Sequence, residues 1–377
     1  MDVNQKLPLL GGLSPALFMK RHWQKKPLLV RQAWPGVLPP LPRAALFALA
    51  GSDDVESRLV AREGAGKAAR WRVRKGPLPR SALPPLSRAG WTLLVQGLDL
   101  HVEAAHAMLQ AFRFVPDARL DDLMVSWASA GGGVGPHLDS YDVFLLQVQG
   151  KRRWRIGRAK DTGWIAGAPL KLLQNFAVEE EWLLDAGDML YLPPRWAHDG
   201  VAVGGDCMTC SAGFRAPAAD ALAHDLLQRL GEEEALSTAI YRDPRQPATA
   251  TPAELPPALL AFALAAVARR LAEPQALARA LGESLTEPKD HVWFEGPGRG
   301  RFGDPVRLAP RTRMLYDMQH IFINGEAFEA AGRDAQIMQR LADDRALGSA
   351  DIARLGTDAR ALLDEWIAFG WATGVEP

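Results

Sequence analysis

The sequence predicts an α+β chain of several domains whose centre is a barrel or double sheet. Three observations carry this. Between residues 121 and 214, short apolar segments and turns alternate too tightly for βα units. After Pro217, leucines recur at helical spacing, at Leu222, Leu226, Leu227 and Leu230. From about Glu287, hairpin signals return.

The elements follow in order. Leu13 to Trp23 reads as a helix with Ser14-Pro15 as N-cap and first helical residue. Leu28 to Val30 is a short strand, and residues 43–50 suggest a second helix. Ser57 to Arg74 holds strands around a loop at Glu63 to Gly66. Trp91 to Gly97 is a strand by its β-branched and aromatic content, and Val102 to Phe114 is an amphipathic helix. Strands are then expected at 123–127, 143–148, 153–157, 182–184, 189–192 and 206–214, with a turn at Gln149-Gly150. Helices are expected at 220–230, 255–272 and 274–285, with a Pro/Thr-rich linker at 242–251. Segments 314–317, 320–323 and 326–328, with Asn324-Gly325 as the turn, read as a hairpin, followed by helices at 333–341 and 358–369. That last arrangement resembles a winged helix. The expected domains are 1–216, 217–286 and 287–377.

Composition bounds the partners. Of 377 residues, 48% are apolar and 23% charged, as in an ordinary globular protein. Lys+Arg and Asp+Glu balance at 44 each, so no global field draws in nucleic acid or membrane. Residues 287–377 carry 11 Lys+Arg against 15 Asp+Glu, which argues against direct DNA binding by the winged-helix-like module. The first ten residues lack a signal-peptide pattern and no apolar run reaches spanning length, so a cytoplasmic chain is expected. Cys207 and Cys210 sit three apart in an expected strand and face opposite ways, which favours two small buried residues over a redox or zinc pair.

The chemistry centres on Gly131 to Trp154. This run opens with glycines and contains His137-Leu138-Asp139. In extended backbone, residues i and i+2 share a face, so His137 and Asp139 project together. With His198, beyond Pro193-Pro194, they compose a 2-His-1-carboxylate set, the donor pattern of non-haem Fe(II) oxygenases. Such a triad leaves about three of six iron positions for a keto-acid and dioxygen. Arg152 and Trp154 share one strand face and Arg153 takes the other; which face points inward is left open.

These strings resemble the JmjC-type ribosomal oxygenases of bacteria. The resemblance rests on Asp121-Asp122-Leu123-Met124, the Gly131 to Asp139 run, Tyr141-Asp142-Val143-Phe144, Gly213 to Pro217, and the segment from Phe18 to Leu28. Ser140 departs from the glutamine of many relatives, and the stretch from His198 to Ser211 is one residue longer than theirs. The resemblance implies a double-stranded β-helix (jelly-roll, cupin-like) core with the metal inside its mouth. It implies a helical dimerisation region, and hence a homodimer. It implies Fe(II), 2-oxoglutarate and dioxygen, with His137, Asp139 and His198 as metal ligands. Arg152, with Arg153 as the alternative, would hold the distal carboxylate of 2-oxoglutarate, assisted by Ser211. Asp122, Met124 and Tyr141 would form the substrate pocket. The implied reaction is hydroxylation of an arginine in a large-subunit ribosomal protein of the L-sixteen type. The alternatives are a JmjC hydroxylase of histidine or of another translation protein, a non-catalytic cupin sensor with a DNA-binding winged helix, and an assembly scaffold.

Overall fold

The structure is a computed structural model that describes residues 2–64, 69–159, 163–232, 239–248, 251–296 and 304–374. The chain divides into two compact units, Met1–Ala216 and Pro217–Pro377.

The first unit is built on one nine-stranded sheet. Its strands are β1 (Leu28–Val30), β2 (Ser57–Glu63), β3 (Arg70–Lys75), β4 (Trp91–Val95), β5 (Leu120–Ala128), β6 (Val143–Arg158), β7 (Glu180–Leu184), β8 (Met189–Leu192) and β9 (Trp196–Phe214). They pair in the order β1-β8-β6-β9-β5-β4-β2-β3, with β7 also on β6, and every pairing is antiparallel. Among the described residues, this unit has three α-helices: α1 (Pro15–Arg21), α2 (Arg43–Leu49) and α3 (Glu103–Gln110). Ser14 caps α1 by accepting from the Leu17 amide at 3.3 Å, with Pro15 at the first helical position.

Alternation along the strands separates two environments. Leu123, Val125 and Trp127 of β5 join Leu93 of β4, Phe144 of β6 and Cys210 of β9 in the large apolar core, with Phe18 of α1, Phe47 of α2 and Leu109 of α3. The opposite face of the same strands carries Ser126, Gln147, Arg152, Thr209 and Ser211, all buried. Cys207 hydrogen-bonds Gln147 on that polar side, so the two free cysteines do face apart.

The structure corrects two sequence expectations. Gln149-Gly150 is not a turn. Strand β6 runs unbroken for 16 residues, and its register against β9 shifts on both sides of Gln149, with Gly150 at φ +67°. The extra residues are absorbed as bulges, which cost less than breaking a ladder paired along its whole length. The helix expected at 102–114 stops at Gln110, after which Phe112 and Val115 turn into the apolar core.

A buried polar knot fastens the N-terminal segment to the sheet. Asp142, fully buried, accepts from the Tyr191 hydroxyl at 2.6 Å and from Gln24 Nε2 at 3.0 Å, while the Gln24 amide donates to the Tyr191 oxygen at 2.8 Å. Burial and the adjacent carboxylate push the Tyr191 phenol far above its ordinary pKa, so it remains the donor.

The second unit opens with α4 (Ala219–Glu232), α5 (Pro257–Leu271) and α6 (Pro274–Thr286). It continues as β10 (Val306–Leu308), β11 (Met314–Tyr316), β12 (His320–Ile323), β13 (Glu326–Glu329), α7 (Gly332–Asp344), β14 (Ala346–Leu347), α8 (Ser349–Ile352), α9 (Thr357–Ala368) and β15 (Ala372–Gly374). Strands β11 to β13 form a meander, and β14-β10-β15 a second small sheet. Asn324 (φ 48°) and Gly325 (φ 90°) make the hairpin turn with both residues left-handed. Helix α6 packs on β12, where a Cβ on Gly282 would lie 2.4 Å from the Phe322 ring. None of the residues of α5 is buried, and Leu260, Leu264, Val267 and Leu271 are exposed. Among the described residues, no helix is long and apolar enough to cross a membrane.

Tyr191→Phe removes one donor from buried Asp142 and should cost about 1–3 kcal/mol. A lower denaturation midpoint with an unchanged slope checks this.

Candidate active site

His137 does not lie on a regular strand, as the spacing argument assumed. It sits in the irregular segment before β6 and forms one isolated antiparallel bridge with His198 at the start of β9. The His137 amide donates to the His198 carbonyl and the His198 amide to the His137 carbonyl, both at 3.0 Å. This pair brings the imidazoles together, with ring centroids 4.2 Å apart. Asp139 joins them, its Oδ2 3.5 Å from His198 Nε2 and its Oδ1 4.0 Å from His137 Nε2. One ligand atom from each of the three side chains lies within 4.8 Å of the others.

Second partners fix the imidazole tautomers. His137 Nδ1 is 2.9 Å from the Gly135 carbonyl and His198 Nδ1 is 3.0 Å from the Trp196 carbonyl. A carbonyl only accepts, so each Nδ1 carries the proton and each Nε2 presents a lone pair toward Asp139. Burial, and next the neighbouring His137, push the His198 pKa down to about 4, so this ring is neutral at physiological pH. Two imidazole nitrogens and one carboxylate suit Fe(II).

The glycine run serves packing. A Cβ on Gly132 would lie 2.3 Å from the Trp91 carbonyl oxygen, and one on Gly133 would lie 2.4 Å from that of Gly200. A Cβ on Gly200 would in turn lie 2.5 Å from the Trp154 ring. The segment bearing His137 thus lies directly on backbone, which any side chain would lift away.

Arg152 and Arg153 separate cleanly. Arg152 is 4% exposed, whereas Arg153 is half exposed and meets Glu181 at 3.3 Å. The inward row is Arg152, Trp154 and Ile156 on β6, opposite Ala202, Gly200 and His198 on β9. Arg152 reaches Ser126 Oγ on β5 at 3.4 Å and lies over the Trp154 ring at 5.7 Å. Its Nε is buried with no hydrogen-bond partner, and no carboxylate pairs with it among the described residues. A buried guanidinium without an anion fits a site that receives a carboxylate from a ligand. Ser211, on the same polar face, pairs in register with Leu145 and with Met124. The sequence reading missed Ser126, though it stands two residues beyond Met124 on the same strand and therefore on the same face.

Asp122, Met124 and Tyr141 lie near this mouth in different states. Asp122 is 2% exposed, and its Oδ2 accepts from Gln96 Nε2 at 2.7 Å and the Gly97 amide at 2.8 Å, partners that the sequence did not suggest. Met124 is half-buried and Tyr141 is 39% exposed. Burial, then the carboxylates of Asp139 and Asp122, push the Tyr141 phenol above its ordinary pKa, with Asp121 adding to the effect and Arg58 opposing it. The rim around Tyr141 is therefore acidic.

An antiparallel polar-lined barrel with two histidines and a carboxylate at its mouth defines a cupin-type metal oxygenase. A family profile described as a JmjC domain matches residues 107–222, and one described as a ROXA-like winged helix matches 269–373. The chain is 32% identical over 332 residues to the ribosomal protein uL16 3-hydroxylase of Escherichia coli (strain K12), covering 84% of this chain and 86% of that protein. It is 35% identical over 212 residues to a probable ribosomal oxygenase of Haemophilus influenzae, covering 54% of this chain and 50% of that one. An X-ray structure of E. coli YcfD superposes with a TM-score of 0.82 at 29% identity, covering 95% of this chain and 97% of that one. A structure of YcfD, described as a ribosomal oxygenase, in complex with cobalt and 2-oxoglutarate gives 0.78 over the same shares. The chain belongs to the JmjC-domain ribosomal oxygenases, dioxygenases that use Fe(II) and 2-oxoglutarate.

The metal-free protein should lose stability as pH falls from about 6.5 toward 4, because the unfolded chain then protonates His198 and the folded chain does not. Urea titrations across this range check it, and His198→Gln should flatten the slope there.

Proposed function

We propose that this enzyme hydroxylates an arginine side chain of a large-subunit ribosomal protein of the uL16 kind. The observation that supports arginine most is the acidic rim, where Asp121, Asp122 and Asp139 surround Tyr141 beside the candidate metal ligands. A guanidinium has five donors and a permanent charge, and desolvating it requires carboxylates. Asp122 and Tyr141 would receive the guanidinium, and Met124 would pack on the aliphatic stem. His137, Asp139 and His198 would hold Fe(II), and Arg152, with Ser211 and Ser126 near it, would take the distal carboxylate of 2-oxoglutarate. Bound Fe(II) and 2-oxoglutarate supply the oxidising power to insert one atom of dioxygen into a C–H bond, with succinate and carbon dioxide as co-products. The chain's own groups orient both partners and exclude water.

The exposed apolar side chains of α5 support a homodimer formed by residues 217–286, between an oxygenase domain at 1–216 and a winged-helix domain at 287–377. A ribosomal substrate sets this activity in the cytoplasm.

The test is mass spectrometry of the host's large-subunit proteins incubated with the enzyme, Fe(II), 2-oxoglutarate and ascorbate, beside a His137→Ala control. One added oxygen on an arginine, absent from the control, is the expected result. An oxygen on histidine, or succinate without any modified arginine, would overturn the substrate reading. Asp122→Asn keeps an acceptor for Gln96 and Gly97 but removes the charge, and should lower arginine turnover about tenfold or more (about 1.5–3 kcal/mol) while metal affinity is unchanged. Arg152→Lys loses the two-pronged hydrogen bond and should weaken 2-oxoglutarate binding at least about tenfold, measured by calorimetry without turnover.

A further inference from the structure

The balanced charge of the chain hides a local excess. Residues 57–90 carry nine Lys or Arg and one acidic residue, Glu63, so the rest of this neutral chain is net negative. The structure gathers much of that excess on one surface. Strand β3 ends the pairing order of the sheet, with β2 on one side and no strand on the other among the described residues. Its sequence alternates, and Arg70, Arg72 and Arg74 are exposed on one face, opposite Glu63, Ala61 and Leu59 of β2. Arg88 rises beside them. The Arg72 side chain is 70% exposed and that of Arg88 48%. Glu63 meets both, at 3.4 and 2.8 Å, and exposed pairs of this kind contribute little. Between them lies an open groove of about 230 Å³, floored by Leu59, Ala61 and Pro84 and walled by Arg72, Arg74 and Arg88.

We propose that this arginine face binds the phosphate backbone of RNA. Successive same-face residues on a strand stand about 6.8 Å apart, so each guanidinium reaches a separate anion, and its planar fork matches phosphate oxygens in pairs. RNA is chosen over other polyanions on the reading that the substrate is a ribosomal protein, because RNA is what surrounds such a protein. A lipid surface fits less well. Leu86 is the one exposed large apolar side chain among the described residues of this stretch. The location is also suitable. On the opposite face of β3, Trp71 packs against Gly135, two residues from His137. RNA held on this strand would lie one sheet-thickness from the metal ligands and orient an RNA-borne protein toward them.

The test uses the full chain, fluorescently labelled single-stranded oligouridylate and anisotropy at rising KCl. The expected result is salt-sensitive binding, with log Kobs falling against log salt at a slope of about −2 for three phosphates. Arg70→Glu, Arg72→Glu and Arg74→Glu together should weaken binding about tenfold or more and flatten the slope, while hydroxylation of an isolated substrate peptide is retained. The milder Arg→Gln triple should show the same direction if the Glu triple folds poorly. Absence of RNA binding, binding by both triples as tight as that of the unsubstituted chain, or tighter binding to phosphatidylglycerol vesicles than to RNA overturns the proposal. RNA binding that needs these arginines, in a chain that leaves every ribosomal peptide unmodified, upholds this surface and removes the substrate reading instead.

Discussion

The two hydrogen bonds between His137 and His198 carry the site. Each is an ordinary backbone contact of 3.0 Å, yet together they pin an irregular segment to the first residues of a 19-residue strand. A metal site needs its donors held within a fraction of an ångström. Here backbone, rather than side chain, sets the distance between the imidazoles. The glycines follow from this constraint. Gly133 lies on the Gly200 carbonyl and Gly200 on Trp154, so three layers stack without a single β-carbon between the first two. Arg195, at φ +66°, closes the arrangement by donating its amide to the Asp139 carbonyl at 3.0 Å.

The second feature is the division of each strand into an apolar face and a polar one. The apolar face supplies the folding free energy, with Phe18, Phe144 and Tyr191 in mutual contact and Phe214 against Phe144. The polar face costs stability. Arg152 is buried with its Nε unmatched, and the Thr209 hydroxyl turns to Gln147 at 2.8 Å. A cation left in that position is destabilising until an anion arrives.

The residues around Tyr141 show the same principle from the solvent side. Asp122 is fixed by Gln96 and the Gly97 amide, so its carboxylate is held in one orientation. Asp121 is steadied by Arg215, 3.6 Å away. Asp142, adjacent in sequence to Tyr141, points the other way into the knot with Tyr191 and Gln24. Neighbouring residues thus have separate surroundings, Tyr141 at the partly exposed rim and Asp142 fully buried in the knot.

Much of this was legible in the sequence, and the reason is periodicity. The i and i+2 relation of Arg152 to Trp154, the opposed cysteines, the Ser14 cap and the Asn324-Gly325 turn are all local, and local geometry obeys the chain's own repeat. What lay beyond the sequence is what depends on partners distant along it. The sequence could not show that Arg152 rather than Arg153 faces inward, since that depends on which face the helices cover. Nor could it show that Gly150 marks a bulge rather than a turn, since β9 keeps pairing past it. The carbonyls that orient the two histidines, and the amide that anchors Asp122, belong to backbone atoms with no signature in residue identity. The sequence by itself determined the donors and the strand rhythm; the tertiary structure decided which faces point inward, because burial is a property of packing and not of spacing.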